Sequence, residues 1–340
     1  MIMIKCLIAL VMCLVVRAHE EVKKDYNHEA HNALCDLMRA AVGKWEKRQE
    51  GLSDKLKKAL GRTLFGNEEG GDITELKRKL PDYYEAVLKG NAARRTPCGG
   101  SESDQSAPYD MVCLCTLGDG GWPLNGIQTE TTLCGQPKTA LGGGVEGWSD
   151  ERLSDEDWSD EERNKGEKEL NATWGNVVTP CLESNLGKDL KEALEQFKGK
   201  LVNKSDDYFP GMYQLGEGEP DKNGACTGSK KYGVCVMYNN GTKTMDHRPW
   251  WVDLEKAIPQ EETFQEEKRR KEEERRKQQE KSEGIDEPRA EPLTSRLPNT
   301  NQTQRSDTES SNTQFHRLNM TSGTLITPPC TWLLRALLFI

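Results

Sequence analysis

Apolar residues in the first quarter of the chain recur every three or four positions. Tyr26, Ala30, Leu34, Leu37, Met38, Ala41 and Trp45 fall on one helical stripe. After Gly51, the residues Leu52, Leu56, Leu60 and Leu64 continue at steps of four, and a loop over 66–71 follows. Ile73, Leu76, Leu80, Tyr83 and Val87 alternate steps of three and four. That is the a/d spacing of a coiled-coil seam, about two heptads long, with Pro81 restarting the helix. The stretch from Trp148 to Trp174 is acidic and helix-like, and Leu182, Leu186, Leu190, Leu194, Phe197 and Leu201 form a third stripe. The pattern predicts a mainly α protein with an elongated helical body.

Two stretches break the pattern. From Asn91 to Gly147, Gly, Pro, Ser and Cys dominate, which predicts a loop-rich, disulfide-stapled lobe with a short strand over Met111–Leu117 and a flexible point at Gly142-Gly143-Gly144. Tyr208 to Asp246 is again Gly-rich with turns, and Trp250, Trp251 and Leu254 close the folded part. Residues 261–281 then carry eight acids and eight bases. Glu266–Arg270, Glu267–Lys271, Glu272–Arg276 and Glu273–Lys277 are i,i+4 pairs in the favoured order, worth about 0.2–0.5 kcal/mol each. With almost no apolar face this is a solvated helix or extended tract, a stalk rather than a core element. Residues 283–322, rich in Pro, Ser, Thr and Asn, read as a disordered leash.

Both ends read as processing signals. Lys5 precedes an apolar run from Cys6 to Val16, and Ala18 offers a cleavage point, as in a secretory signal peptide. At the other end Ser322-Gly323-Thr324 is a triplet of small residues followed by an apolar tail broken by Arg335. This is the pattern of a glycosylphosphatidylinositol (GPI) attachment signal, with Ser322 as the expected attachment residue and Asn319 as the second choice.

These ends change the reading of the cysteines. Of the eleven, Cys6 and Cys13 would leave with the leader and Cys330 with the tail. Cys35, Cys98, Cys113, Cys115, Cys134, Cys181, Cys226 and Cys235 remain. An even number on a secreted chain predicts four disulfides, among 105 possible connectivities. A local Cys226–Cys235 pair is the one suggested by spacing. Five N-x-S/T sequons lie at Asn171, Asn203, Asn240, Asn301 and Asn319, of which Asn240 sits in a turn signal. The net charge of −9 argues against nucleic acid as a partner.

Catalytic and metal signatures fail on spacing. His28 and His31 are three apart, not the four that put both imidazoles on one helical face in H-E-x-x-H. Gly118–Gly121 and Leu141–Gly144 lack the G-K-[ST] end of a phosphate loop. Cys113-Leu114-Cys115 has the wrong spacing for a zinc knuckle, and no G-x-S-x-G occurs. No enzyme, cofactor or metal is expected.

A helix carrying Cys35, the Cys113-Leu114-Cys115 segment in a Gly-rich lobe, and Trp174-Gly-Asn-Val-Val-Thr-Pro-Cys181 ahead of a later helix occur in that order, and a charged stretch runs into the tail. In this the chain resembles the variant surface glycoproteins of African trypanosomes, most of all those of Trypanosoma congolense. The resemblance implies an N-terminal domain built as an elongated antiparallel helical hairpin or bundle with a membrane-distal lobe, self-association through helices as a dimer or trimer, and a membrane tie through GPI lipid alone. It also implies dense packing as a coat, antigenic variation, and host antibodies as opposing ligands. The sequence departs in having no mature cysteine after Cys235, so no second folded domain is expected. The layout read from the chain is a signal peptide over 1–18, a domain over 19–258, a charged helical stalk over 259–284, a linker over 285–322 and a removed segment over 323–340. The function expected is a non-catalytic coat, and the alternative is a GPI-anchored receptor on the same scaffold for a host protein or nutrient.

Overall fold

A computed structural model describes residues 24–47, 51–84, 94–99, 105–126, 131–143, 147–150, 166–184, 188–205, 211–219, 225–239 and 248–283. All lie in one compact unit, Met1–Gly284. The protein is mainly α and held by disulfides.

Its central element is α1, His28–Glu46. Ala33, Leu34, Leu37, Met38, Ala41 and Val42 are all buried, covering more of its circumference than the single stripe predicts. Helix α2, Asp54–Phe65, starts where Ser53 Oγ accepts the Leu56 N–H and stops at Gly66 in the left-handed conformation. Its Leu56, Leu60 and Leu64 are buried, as their spacing predicts. The stretch expected as a coiled-coil seam is broken at the proline. Helix α3 is one short piece, Ile73–Arg78, capped by Asp72, with no buried residue, and Lys79 is already extended. Pro81 removes the next N–H and biases Leu80 away from helix, and residues 82–84 are helical again, as a restart at Pro81 predicts. Val87 lies outside the described residues.

After a short turn α4, Arg95–Gly99, the expected strand at 111–117 is instead a helix, α5, Ala107–Cys115. Ser106 caps it and Pro108 pre-sets its first turn. Met111 to Cys115 are all buried. An apolar run buried on every side carries no period to separate strand from helix, so the cap decided. Strands β1, Asp25–Tyr26, and β2, Thr132–Leu133, form a two-residue parallel pair. A 3-10 turn over Lys138–Leu141 ends at Gly142, which is left-handed; Gly144 lies outside the described residues.

Helix α6, Glu167–Thr173, runs into a π-turn over Trp174–Val178 and a last turn, Thr179–Cys181. Pro180 explains the widened turn. It cannot donate to the carbonyl of residue 176, and its ring would collide with that carbonyl in α geometry. The third leucine stripe is thereby divided. Leu182 belongs to the end of this segment, Leu186 is not described, and α7, Leu190–Lys198, begins afresh with Asp189 accepting the N–H groups of Lys191 and Glu192.

The second Gly-rich stretch contains an antiparallel sheet that the sequence reading lacked. Strands β3, Val202–Asn203, β4, Met212–Gly216, and β5, Cys235–Asn239, pair in the order β3-β4-β5, with Tyr213 opposite Tyr238. Val236, Met237 and Tyr238 are all buried, so β5 lacks the polar alternation that marks a half-exposed strand.

Helix α8, Trp250–Glu283, is continuous across Ile258 and Pro259, where the stalk was expected to begin. Its first turns lie along α2. The Arg62 guanidinium pairs with Asp253 and donates to the Arg248 carbonyl. Further along, Glu261 accepts the Ser53 N–H at 2.8 Å and Gln265 donates to the Gly51 carbonyl at 2.9 Å. The charged part is thus docked through its first two turns and exposed beyond them. There Glu273 and Lys277 close at 2.7 Å, as one of the i,i+4 pairs predicts.

Candidate functional site

The lobe around α5 is built on covalent and backbone contacts. Cys98–Cys113 ties α4 to α5, and Cys115–Cys134 ties α5 to the end of β2. Cys226–Cys235 closes a local loop, and Cys35–Cys181 joins α1 to the turn after the π-segment. Between the first two bridges sits Arg94, fully buried. Its guanidinium donates to the carbonyls of Cys113 (2.6 Å), Thr116 (3.1 Å) and Trp148 (2.9 Å), and it lies over the Trp148 ring. Arg94 thereby satisfies carbonyls at the C-terminal end of α5, a role suited to a cation. Burial lowers its pKa to about 9, which still leaves it charged at neutral pH. The Gly118–Gly121 loop is not a phosphate cradle. A Cβ on Gly118 would stand 1.9 Å from the Gly228 carbonyl oxygen, so glycine is needed there for two backbones to cross.

Two polar knots fix the elements behind the lobe. Asp110 on α5, 1% exposed, accepts the Tyr238 hydroxyl at 2.6 Å and the Trp250 indole N–H at 2.7 Å. One carboxylate oxygen thus gathers α5, β5 and α8. Asn27 precedes α1 in the left-handed conformation. Its amide donates to the carbonyls of Leu114 (2.8 Å) and Val234 (2.7 Å), and its Oδ1 accepts the Glu217 N–H (2.8 Å). Neither knot was read from the sequence. An isolated Asp or Asn carries no periodic signal, and only the long-range contacts give it a role.

His28 and His31 each have their own hydrogen-bond partners. His28 Nδ1 meets Asp25 Oδ2 at 2.6 Å, and the Asn32 amide donates to His28 Nε2 at 2.9 Å. His31 Nδ1 meets Asn32 Oδ1 at 3.1 Å, and its Nε2 stands 3.9 Å from Cys181 Sγ. Burial holds the His31 pKa below its ordinary value.

Of the sequons, Asn171 is exposed on α6 and Asn203 is exposed on β3, at the edge of its sheet. The Thr173 hydroxyl of the first sequon is buried and meets Thr116 Oγ1 at 3.1 Å. Asn240, Asn301, Asn319, Ser322 and both terminal signals lie outside the described residues. Beside β3 lies an open groove of about 720 Å³ edged by Trp122, Val202, Lys204, Glu217 and Lys230. Its charges are of both signs and do not converge on one point. Among the described residues, no helix is long and apolar enough to cross a membrane.

A family model described as "Trypanosomal VSG domain" matches residues 43–281. The matched span takes in the end of α1, the stapled lobe, the sheet and nearly all of α8. No curated protein shows a significant match to the chain.

Proposed function

Since the chain belongs to the trypanosomal VSG family, we propose that it is a GPI-anchored coat glycoprotein, most similar to those of Trypanosoma congolense, that shields the surface beneath it. The family is one of surface coat proteins rather than catalysts. The observation that carries the reading is the family match, which runs without interruption from the stapled head into the charged helix.

In this reading the segment over 1–18 directs secretion, residues 19–258 form the head, 259–284 the stalk, and 285–322 a leash to an anchor on Ser322, with 323–340 removed. Two acyl chains would supply firm attachment without a spanning helix. Copies associate through their helices as a dimer or trimer, with Phe264 exposed on α8 as a candidate apolar contact. Close packing then excludes large host proteins sterically, glycans cover the remaining gaps, and replacement of the exposed loops defeats host antibodies. No step is catalytic.

Phosphatidylinositol-specific phospholipase, applied to intact cells, should release the protein into the medium, and surface quantitation should find it at the density of a continuous layer. Retention by the membrane after phospholipase treatment removes the anchor. A release-sensitive but sparse protein removes the coat and leaves the receptor.

A further inference from the structure

The cluster of His31, Cys35 and Cys181 goes beyond a coat. His31 and Cys35 are four residues apart on α1 and therefore share one face, the spacing that puts two ligands on one metal. Cys181 faces them from the turn that follows the π-segment. The imidazole nitrogen and both sulfurs lie within 4.8 Å of one another. Ligand atoms around a tetrahedral zinc ion stand about 3.5 Å apart, and His31 Nε2 already stands 3.9 Å from Cys181 Sγ, while the bonded sulfurs would have to separate.

A second observation concerns the orientation of His31. Asp25 holds His28 through Nδ1–H, which leaves His28 Nε2 to accept the Asn32 amide. Asn32 Oδ1 is then left to accept His31 Nδ1–H. The lone pair of His31 Nε2 points at the sulfur of Cys181. Metal-binding histidines are held in this way, by a partner on the other ring nitrogen. Arg39 donates to the Pro180 carbonyl at 3.2 Å and fixes the turn that carries Cys181.

We propose that these three residues form a redox-gated site for a zinc-class divalent cation, closed while the Cys35–Cys181 disulfide is intact. A dithiol reductant opens it. The dithiol gives two electrons and two protons to the S–S bond and leaves as a cyclic disulfide, and Cys35 and Cys181 become thiols. The cation then displaces both thiol protons and binds two thiolates and His31 Nε2, with a fourth position for water. The metal takes over the link between two segments 146 residues apart in sequence.

The test uses the full chain, treated anaerobically with dithiothreitol, desalted and titrated with Co²⁺. The expected result is sulfur-to-cobalt charge-transfer absorption with tetrahedral d–d bands at one ion per chain, displaced by Zn²⁺. Asn32→Ala should weaken Co²⁺ binding about tenfold. His31→Ala should weaken it further, His31→Cys should restore it, and the Cys35→Ser/Cys181→Ser double variant should abolish it. Absence of the bands in the reduced chain, an undiminished spectrum in His31→Ala, or bands that persist in the double-serine variant would each overturn the assignment.

Discussion

The Trp250 indole donates to the Asp110 carboxylate at 2.7 Å, across 140 residues of sequence, and neither side chain is more than 1% exposed. Tyr238 shares the same carboxylate oxygen. A buried carboxylate is tolerated because two good donors replace the water it lost. Asp110→Ala would strand both donors in the core. The expected loss is roughly 3–5 kcal/mol, with Asp110→Asn losing less because an amide oxygen still accepts. Chemical denaturation of the disulfide-intact proteins reads this directly, and equal stability of the alanine variant and the parent would refute the knot.

Asn27 makes three hydrogen bonds to backbone groups in three different segments. Asn27→Ala leaves two buried carbonyls and one N–H without their partner and adds strain at a positive φ of 57°. A loss of about 3 kcal/mol is expected. Asn27→Asp should cost at least as much, since a carboxylate cannot donate to Leu114 and Val234. Thermal melts of the two variants provide the comparison.

Loop length orders the disulfides. Cys35–Cys181 spans 146 residues and Cys226–Cys235 spans 9. Chain entropy assigns about 5 kcal/mol to the first and about 2.6 kcal/mol to the second. Paired serine substitutions should lower the melting temperature in that order, and the reverse order would show that native packing dominates.

Glu261 ties α8 to the start of α2. Burial alone would raise its pKa, but the Ser53 and Gln265 hydrogen bonds outweigh burial and leave it below its ordinary value. A depressed carboxylate contributes stability that is full above its unfolded pKa and lost as pH falls through the folded value. Glu261→Gln should therefore narrow the gap in melting temperature between pH 7 and pH 3.5, by an amount corresponding to less than about 1 kcal/mol. An unchanged gap would show that the contact carries no acid sensitivity.

Thr173 serves both a sequon and the core, where it meets Thr116 and also donates to the Cys115 carbonyl. Thr173→Ala should destabilise the protein by about 1–2 kcal/mol even after enzymatic removal of glycans from both proteins. Stabilities that coincide once deglycosylated would assign the whole effect to the glycan on Asn171.

Helix positions were legible where one face is apolar and a cap stands at the end. Ser53 and Gly66 bracket the Leu56–Leu64 stripe, and α1 follows its spacing. The failures share a cause. Where α5 and β5 are buried on every side, polarity carries no period, and helix and strand look alike in the sequence. In the stripe over 73–87 the period is right, and Ile73, Leu76, Leu80 and Tyr83 pack against the core, but Pro81 breaks the helix between them. The His28/His31 spacing departs from a zinc-protease box, yet it said nothing of Cys181, which only the fold brings beside His31.

By itself the sequence determined the features that local chemistry decides: helical stripes, caps, the sequons and an even set of cysteines able to pair. Tertiary structure alone decided the three cysteine pairs other than Cys226–Cys235, that Arg94 and Asp110 are core residues, and that the charged helix is seated on α2 before it leaves the head. The physical reason is range. Propensity and capping act within about one helical turn, whereas a buried charge or a disulfide depends on groups far away in the chain that only packing brings within bonding distance.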